Sequence, residues 1–496
     1  MEKINNPATT PPKPQGVPTG KRELVFSLAA LICGMALCNF TLFGGLHLGF
    51  AIALWAYIFC AAGYLVSCGR RLTPYSTCLL IISLIIAAGF GRSADNAMKS
   101  VMAAMLMVSA NLGLCLLAGQ HSYDPGSAWS ILDLFNAAVA MPLEAMPNAL
   151  SGLFRTATTK STLFKKFGAV LIGLLVTVPV LAILLPLMIN SDAAFEGMMD
   201  MMPEIEIAEI LMTAILGTFI FFLIYSQGTA LVHRPKAQAA TGENGKGVNK
   251  LTVNTVLVSV CVIYTLYLVS QLAYFVGGFS GILPQEYTLA QYARRGFFEM
   301  AGLCVLNMAI VILAVALVRQ SGNKAPLSTR LLCLFVGLVT VFLVAAASAK
   351  MFNYIQGYGM SRRRLTTQLI ILFFGIAAVT VSVNLFLKKP RYMPVLIIAA
   401  LIIGGTAFWV DVDYVVARYN VTAYQTGKLP SVDVEYLGTL SNSALPQIAR
   451  LVVDEDPVIA QAARAELNQA HTSNQDFRDW NYATHQAQKV KKVMLP

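Results

Sequence analysis

An all-α, polytopic transmembrane bundle of about eleven spans, followed by a small C-terminal helical domain, is the fold class the sequence predicts. Three observations predict it. Hydrophobic residues make up 56% of the 496-residue chain and charged residues only 12%, roughly half the charge of an average soluble domain. Mean hydropathy is +0.64. The apolar residues also fall in blocks of about 18 to 25, the length needed to cross ~30 Å of hydrocarbon as a helix.

The elements follow in order. Residues 1–23 are rich in Pro, Thr and Lys, and the first apolar run begins only at Leu24, so they read as a disordered cytoplasmic tail. Four spans fill 24–119, near 24–43, 49–68, 75–91 and 100–119. Segment 120–166 is too polar and too proline-punctuated to span, yet "WSILDLFNAAVAMPLEAMPNALSGLF" is too apolar for a free loop. It is expected to form amphipathic interfacial helices on the inner face, divided by Pro142 and Pro147. Seven further spans are expected in 167–410, near 167–189, 207–226, 252–276, 298–318, 331–349, 367–387 and 393–410. Pro179 and Pro186 punctuate the first of these, and 228–250 reads as a flexible loop. Residues 411–496 carry helical patterning, with Ser443 as a predicted N-cap and Asp456 capping a second helix that opens on Pro457.

Orientation follows from loop charge. With the N-terminus inside, the cytoplasmic segments carry twenty lysines and arginines against eight outside. The acidic loop "NSDAAFEGMMDMMPEIE" at 190–206 then lies outside, as does the C-terminal domain. The net charge of +11 is explained by such loops and not by nucleic-acid binding, and no nucleic-acid partner is expected.

Arg362, Arg363 and Arg364 break this pattern, standing outside in "YGMSRRRLTTQL". A second outer segment, "EYTLAQYARRGFFEM", resembles it: tyrosines, then Arg294 and Arg295, then a span. Two spans separate corresponding points, so the two copies form a degenerate parallel repeat over 252–387. Two readings stand side by side. Tyr287, Tyr292, Tyr354 and Tyr358 with their arginines form an aromatic belt at headgroup depth, or the arginines bind an anion, with Glu299 beside Arg294 and Arg295 as the leading carboxylate. Carboxylate partners anticipated for the arginines are Glu299, Glu286, Asp192, Glu196, Asp411 and Asp413.

Together "QYARRGFFEM", "MFNYIQGYGMSRRRLTTQL" and "VARYNVTAYQTGKLPSVDVEYLGTLSNSALPQIARL" with "FRDWNYATHQA" resemble bacterial multi-pass membrane proteins grouped under a domain of unknown function, number forty-one seventy-three. The resemblance covers roughly residues 160–490. It implies a bacterial membrane protein and carries no activity with it.

Mid-span chemistry is sparse. The intramembrane polar side chains singled out are Asn111, Gln271, Asn307 and Asn384, expected to hydrogen-bond between helices. Nine cysteines sit in or at the ends of apolar runs without a CxxC, and five histidines lie in separate segments, so no metal site and no cofactor are expected. No Ser/His/Asp grouping, Walker loop or GxGxxG appears, so no catalytic residue is assigned.

The reading that results is a bacterial inner-membrane protein of non-enzymatic transport or sensing function with an outward Arg/Tyr recognition surface. The alternatives are a membrane enzyme or binder acting on a lipid-linked or anionic substrate, and a structural scaffold. Expected partners are the lipid bilayer, an anionic lipid or small ligand at the arginines, and a protein docking on the C-terminal domain or on 120–166.

Overall fold

The computed structural model describes residues 20–121, 123–126, 130–147, 207–233, 247–279, 297–318, 325–387, 391–472 and 476–494, with five isolated positions between 173 and 188. Apart from those five positions the predicted fifth span lies outside the described residues, as do the acidic loop and the hairpin bearing Tyr287, Tyr292, Arg294 and Arg295. The side chains of Gln271 and Glu299 do too. Among the described residues there is no strand, only an isolated bridge between Val248 and Val318.

Among the described residues nine helices are long and apolar enough to cross a membrane. They comprise α1 (Lys21–Leu42), α2 (Leu48–Ser67), α3 (Pro74–Ala88, continued by a 3-10 turn) and α4 (Asn96–Ala118). After the short α5 (Ser130–Phe135) come α6 (Ile207–His233) and α7 (Lys250–Phe279). The last three are α9 (Leu327–Tyr358), α10 (Arg362–Asn384) and α11 (Tyr392–Val410). The predicted eighth span is α8 (Phe297–Leu317), whose apolar part is Gly302–Leu317.

Two buried clusters organise these helices. The first joins α1 to α4 and α6, and takes in Leu401 and Phe408 of α11. A second group of clusters joins α7 to α10. Helix α11 packs on α10 and also on α3 and α4, so it belongs to both. The tightest helix pair is α1 with α6: a Cβ on Gly34 would come within 2.7 Å of the Gly217 carbonyl oxygen. Lipid provides no hydrophobic drive between helices, so close backbone approach through small residues does the work.

Segment 130–147 corrects an expectation. Pro142 does not divide it: the helix runs through, with a π turn at Asn136–Ala140 just before the proline. Proline cannot donate to the carbonyl four residues back, and the wider turn absorbs that mismatch. The Pro142 carbonyl instead accepts from Ser226 Oγ of α6 at 2.7 Å. Met141 is buried in the first cluster, while Leu132, Phe135, Val139 and Leu143 turn an apolar stripe outward.

Beyond α11 the chain forms α12 (Val412–Gln425), α13 (Val434–Gly438), α14 (Leu445–Ile448), α15 (Pro457–Gln469) and α16 (Tyr482–Met494) around a separate core of Ala417, Val421, Leu437, Ile448, Ala463 and Leu467, among others. Asp456 caps α15, accepting from Val458 N at 2.9 Å with Pro457 at the first position. Ser443 is not an N-cap. It lies within a 3-10 turn whose cap position is Ser441, and its hydroxyl serves Asp411 instead.

Candidate functional site

The arginine triplet is not a loop. Ser361 caps α10 through its hydroxyl, so Arg362, Arg363 and Arg364 form the first helical turn, only three residues after α9 ends. Three cations at a helix N-terminus oppose the macrodipole, and two of them turn away from it. Arg364 reaches back to the Tyr358 carbonyl at 2.9 Å and to that of Gly359, covering the electronegative end of α9. Its guanidinium also lies 3.9 Å from the Tyr354 ring centroid. Arg362 forms a two-pronged pair with Asp413 of α12, Nε to Oδ1 at 2.7 Å and Nη2 to Oδ2 at 2.5 Å. Arg363 is exposed. Tyr358 is half exposed and tilts against Tyr354.

The α9–α10 turn is clamped from the other side. Asn420 of α12 accepts from Met360 N at 2.8 Å and donates to Met360 O at 2.7 Å, while Tyr436 Oη accepts from Arg362 N. Gly359 is required here twice over: its φ is +75°, and a Cβ would meet Asn420 Oδ1 at 2.6 Å.

Around Asp413, which is 0% exposed, lies a cluster of charge that sequence reasoning mostly missed. Asp95, the N-cap of α4, is 3.9 Å from Arg362. One turn on, Lys99, one of the eight basic residues counted in outside loops, is fully buried with its ammonium 2.7 Å from His47 Nδ1. Asn481 of the C-terminal segment meets the same ring nitrogen at 3.2 Å. Burial, aided by the Lys99 charge, pushes His47 down to about 4, so its ring is neutral. Burial and the nearby Asp413 carboxylate raise Asp95 above the ordinary aspartate range. Asp411 completes the cluster: Oδ1 accepts from the Asp413 and Tyr414 amides, Oδ2 from Ser443 Oγ. It has a φ of +67°, alone in this among the described non-glycine residues.

A second clamp sits on the first cluster. Arg478 donates to Glu209 of α6 and, at 2.9 Å, to Asn39 of α1. The carbonyls of Arg478 and Trp480 accept from Gly49 N and Leu48 N, groups that an α-helix leaves orphaned in its first turn. The C-terminal chain therefore caps α2, and Ala483 N is fixed by the Arg92 carbonyl.

A cavity of about 310 Å³ opens at this junction, lined by Arg92, Asp411, Tyr414, Ser443, Gln447 and Tyr482 among others. Among the described residues no group of three or more His, Cys, Asp or Glu side chains is arranged to hold a metal.

Among the described residues the polar groups singled out mid-bundle are neutral amides and hydroxyls. Asn111 accepts from Tyr57 Oη at 2.5 Å and from Gln227 Nε2 at 2.7 Å, joining α4, α2 and α6. Asn307 accepts from Tyr264 Oη at 2.5 Å and donates to Thr340 Oγ1 at 3.0 Å, joining α8, α7 and α9. Asn384 donates within its own helix, to Thr380 O, and accepts from Arg391 N. The tyrosine partners carried no sequence signal beyond their place in an apolar run.

Helices of this length and composition, and the repeated linking of their polar groups, define a multi-pass membrane protein of all-helical fold. Within that class the chain belongs to the family described as Domain of unknown function (DUF4153), whose model matches residues 50–451. The match begins in α2, well before the motif resemblance, and so includes three of the first four spans; it ends before α15. No curated protein and no solved structure matches the chain.

Proposed function

We propose that this is a non-enzymatic sensor of the bacterial cell membrane, with a cytoplasmic N-terminus and extracytoplasmic C-terminal helices whose docking on the bundle is the response. The observation that carries this reading is the Arg362–Asp413 pair: a fully buried carboxylate holds α12 against the end of α10. Buried ion pairs contribute little net stability beside apolar packing, but breaking one is costly, which suits contacts that fix one arrangement or release it. Ionisable groups buried at a membrane boundary point to a functional site, and four lie here, Asp95, Lys99, Asp411 and Asp413, with His47 and Arg362 part-buried beside them.

The orientation rests on loop charge. Of the eight exterior basic residues, Lys99 is buried and Arg362 is paired, so neither acts as a free loop charge. The recognition surface of Arg294, Arg295, Arg362, Arg363 and Arg364 with Tyr292, Tyr358 and Glu299 remains part of this proposal, with Arg362 and Arg364 serving also as internal fastenings.

Hydrogen exchange on the full chain in lipid nanodiscs tests the reading. The Met360 and Arg362 amides bond to Asn420 and Tyr436, so their protection reports docking. Protection is expected to fall when the outer medium is acidified from about pH 7 to about pH 5, because a His47 ring released by undocking takes up a proton below its ordinary 6.5, whereas the docked ring stays neutral down to about 4. Unchanged protection across pH, salt and lipid composition would remove sensing and leave a static scaffold. A reporter fused after Pro496 that works only in the cytoplasm would reverse the orientation.

A further inference from the structure

The cavity at the junction has the composition of a binding site for a small zwitterion. We infer that it takes a ligand carrying an anionic group and an ammonium on a short spacer, with Arg92 receiving the first and Asp411 the second. The inference rests on the sensing reading only for its consequence, since it identifies what the docked junction would detect.

A volume of about 310 Å³ is at the small end of ligand pockets, which excludes large cofactors and suits a headgroup-sized molecule. The walls provide one charge of each sign. Arg92 follows directly on the 3-10 turn at the end of α3, and its Nε is held by the Trp409 carbonyl at 2.6 Å. Its guanidinium carbon is 5.6 Å from the Tyr482 ring centroid. Among the described residues no carboxylate pairs with it, so the two terminal nitrogens present the planar fork that binds carboxylate or phosphate in two-pronged fashion.

Asp411 is the opposite pole. Two backbone amides and the Ser443 hydroxyl fix its carboxylate, which keeps acceptor capacity for a further donor because an ionised carboxylate has about four lone-pair sites. Its left-handed φ of +67° is a second, independent sign. A non-glycine side chain is rarely held there, and such strain gathers at ligand sites. Tyr414 and Tyr482 add aromatic wall, against which an ammonium also packs well.

The cavity stands at the ends of the spans Pro74–Gly91 and Tyr392–Val410. At that depth the same chemistry reaches it in two ways: as the ethanolamine-phosphate headgroup of a membrane lipid, or as a free amino acid or phosphoethanolamine.

The experiment uses the full chain in nanodiscs of phosphatidylglycerol, titrated with phosphoethanolamine and, separately, with glycine, and read by intrinsic tryptophan fluorescence. Saturable binding is expected, weakened at least about tenfold by Arg92→Gln and less by Arg92→Lys, because only the guanidinium offers the fork. Replacing the bilayer with phosphatidylethanolamine distinguishes the sources: competition with the titrant assigns the site to the lipid, and no competition assigns it to the free molecule. Either result supports the zwitterion site. Absence of binding by both titrants in both bilayers, or unchanged affinity in Arg92→Gln, overturns it. Hydrogen exchange at Met360, measured on the same samples, separates the two proposals. Binding without a change in protection keeps the site and sinks the sensor, whereas protection that responds to pH without any binding does the reverse.

Discussion

The middle of the bundle and its C-terminal junction handle polar groups in opposite ways. At the Asn111 and Asn307 networks every partner is an amide or a hydroxyl, and each network closes on three helices. At the junction charged groups link elements far apart in the chain: Arg362 with Asp413, Lys99 with the neutral His47 ring, Arg478 with Glu209. Solvation explains the contrast. An unpaired ion deep in hydrocarbon costs several kcal/mol, but a neutral hydrogen-bonded pair costs little and gains little, because membrane-embedded unfolded helices also find partners. Near the headgroups, charge can be held if a second layer of protein covers it, and the helices after Val410 are that layer.

The comparison breaks most visibly at Asp413. Asp413→Ala leaves the Arg362 guanidinium and the Ser441 amide without their acceptor, so a loss near the lower end of ~3–5 kcal/mol is expected because Arg362 is 35% exposed. Unfolding of the C-terminal helices in detergent would measure it. The double variant Arg362→Met, Asp413→Leu should recover most of that loss, since an apolar pair removes both desolvation costs. A double variant as unstable as the single would mean that the pair matters for more than its burial.

Packing without charge should come next. Gly34→Leu puts side-chain atoms into the Gly217 and Phe221 backbone, and overpacking of this kind costs about 1–3 kcal/mol. It should lower the thermal midpoint of the whole bundle while leaving Met360 protection intact at lower temperature.

Asn111→Ala and Asn307→Ala should each cost only about 0.6–1.7 kcal/mol, the range of membrane interhelical hydrogen bonds. Equal effects would sharpen the view that the two networks are equivalent. A loss as large as that of Asp413→Ala in either would erase the distinction between middle and junction.

The smallest expected effect is a pH dependence. His47 is held at about 4, below its ordinary value of 6.5, so the unfolded chain binds more protons between those values and stability falls as pH drops through that window. Asp95 is raised, so its folded form binds the extra proton and opposes the loss at the acid end. His47→Gln should flatten the slope above about pH 5 in a series of thermal midpoints; an unaltered slope would assign the dependence elsewhere.

Much of the scaffold was legible in the sequence. Apolar runs of membrane length mark helices because no other open structure satisfies its backbone in lipid, and the Asp456–Pro457 signal placed the start of α15 correctly because capping is a local matter. Asn111 and Asn307 were visible as polar side chains in apolar runs, but their partners Tyr57, Gln227, Tyr264 and Thr340 were not, since a tyrosine in such a run looks like any other aromatic. The partner of Arg362 could be shortlisted but not chosen, because Asp411 and Asp413 differ by two positions on one short turn and only one of them faces α10. Lys99 was misread for a related reason. A lysine four residues past an N-cap looks like loop charge until His47 and the C-terminal segment are seen to cover it.

The sequence by itself determined that the chain is a helical membrane protein, where most of its helices lie, and that charge gathers at one end of α10, for these follow from hydrophobicity, helix length and local capping. Only the tertiary structure decided that two helix clusters share α11, that the chain from Arg478 to Ala483 returns to fasten α2 and the end of α3, and that two arginines of the triplet form an internal clasp. Those are contacts between residues up to several hundred positions apart, and a buried charge reveals its partner only when the surfaces that bury it have come together.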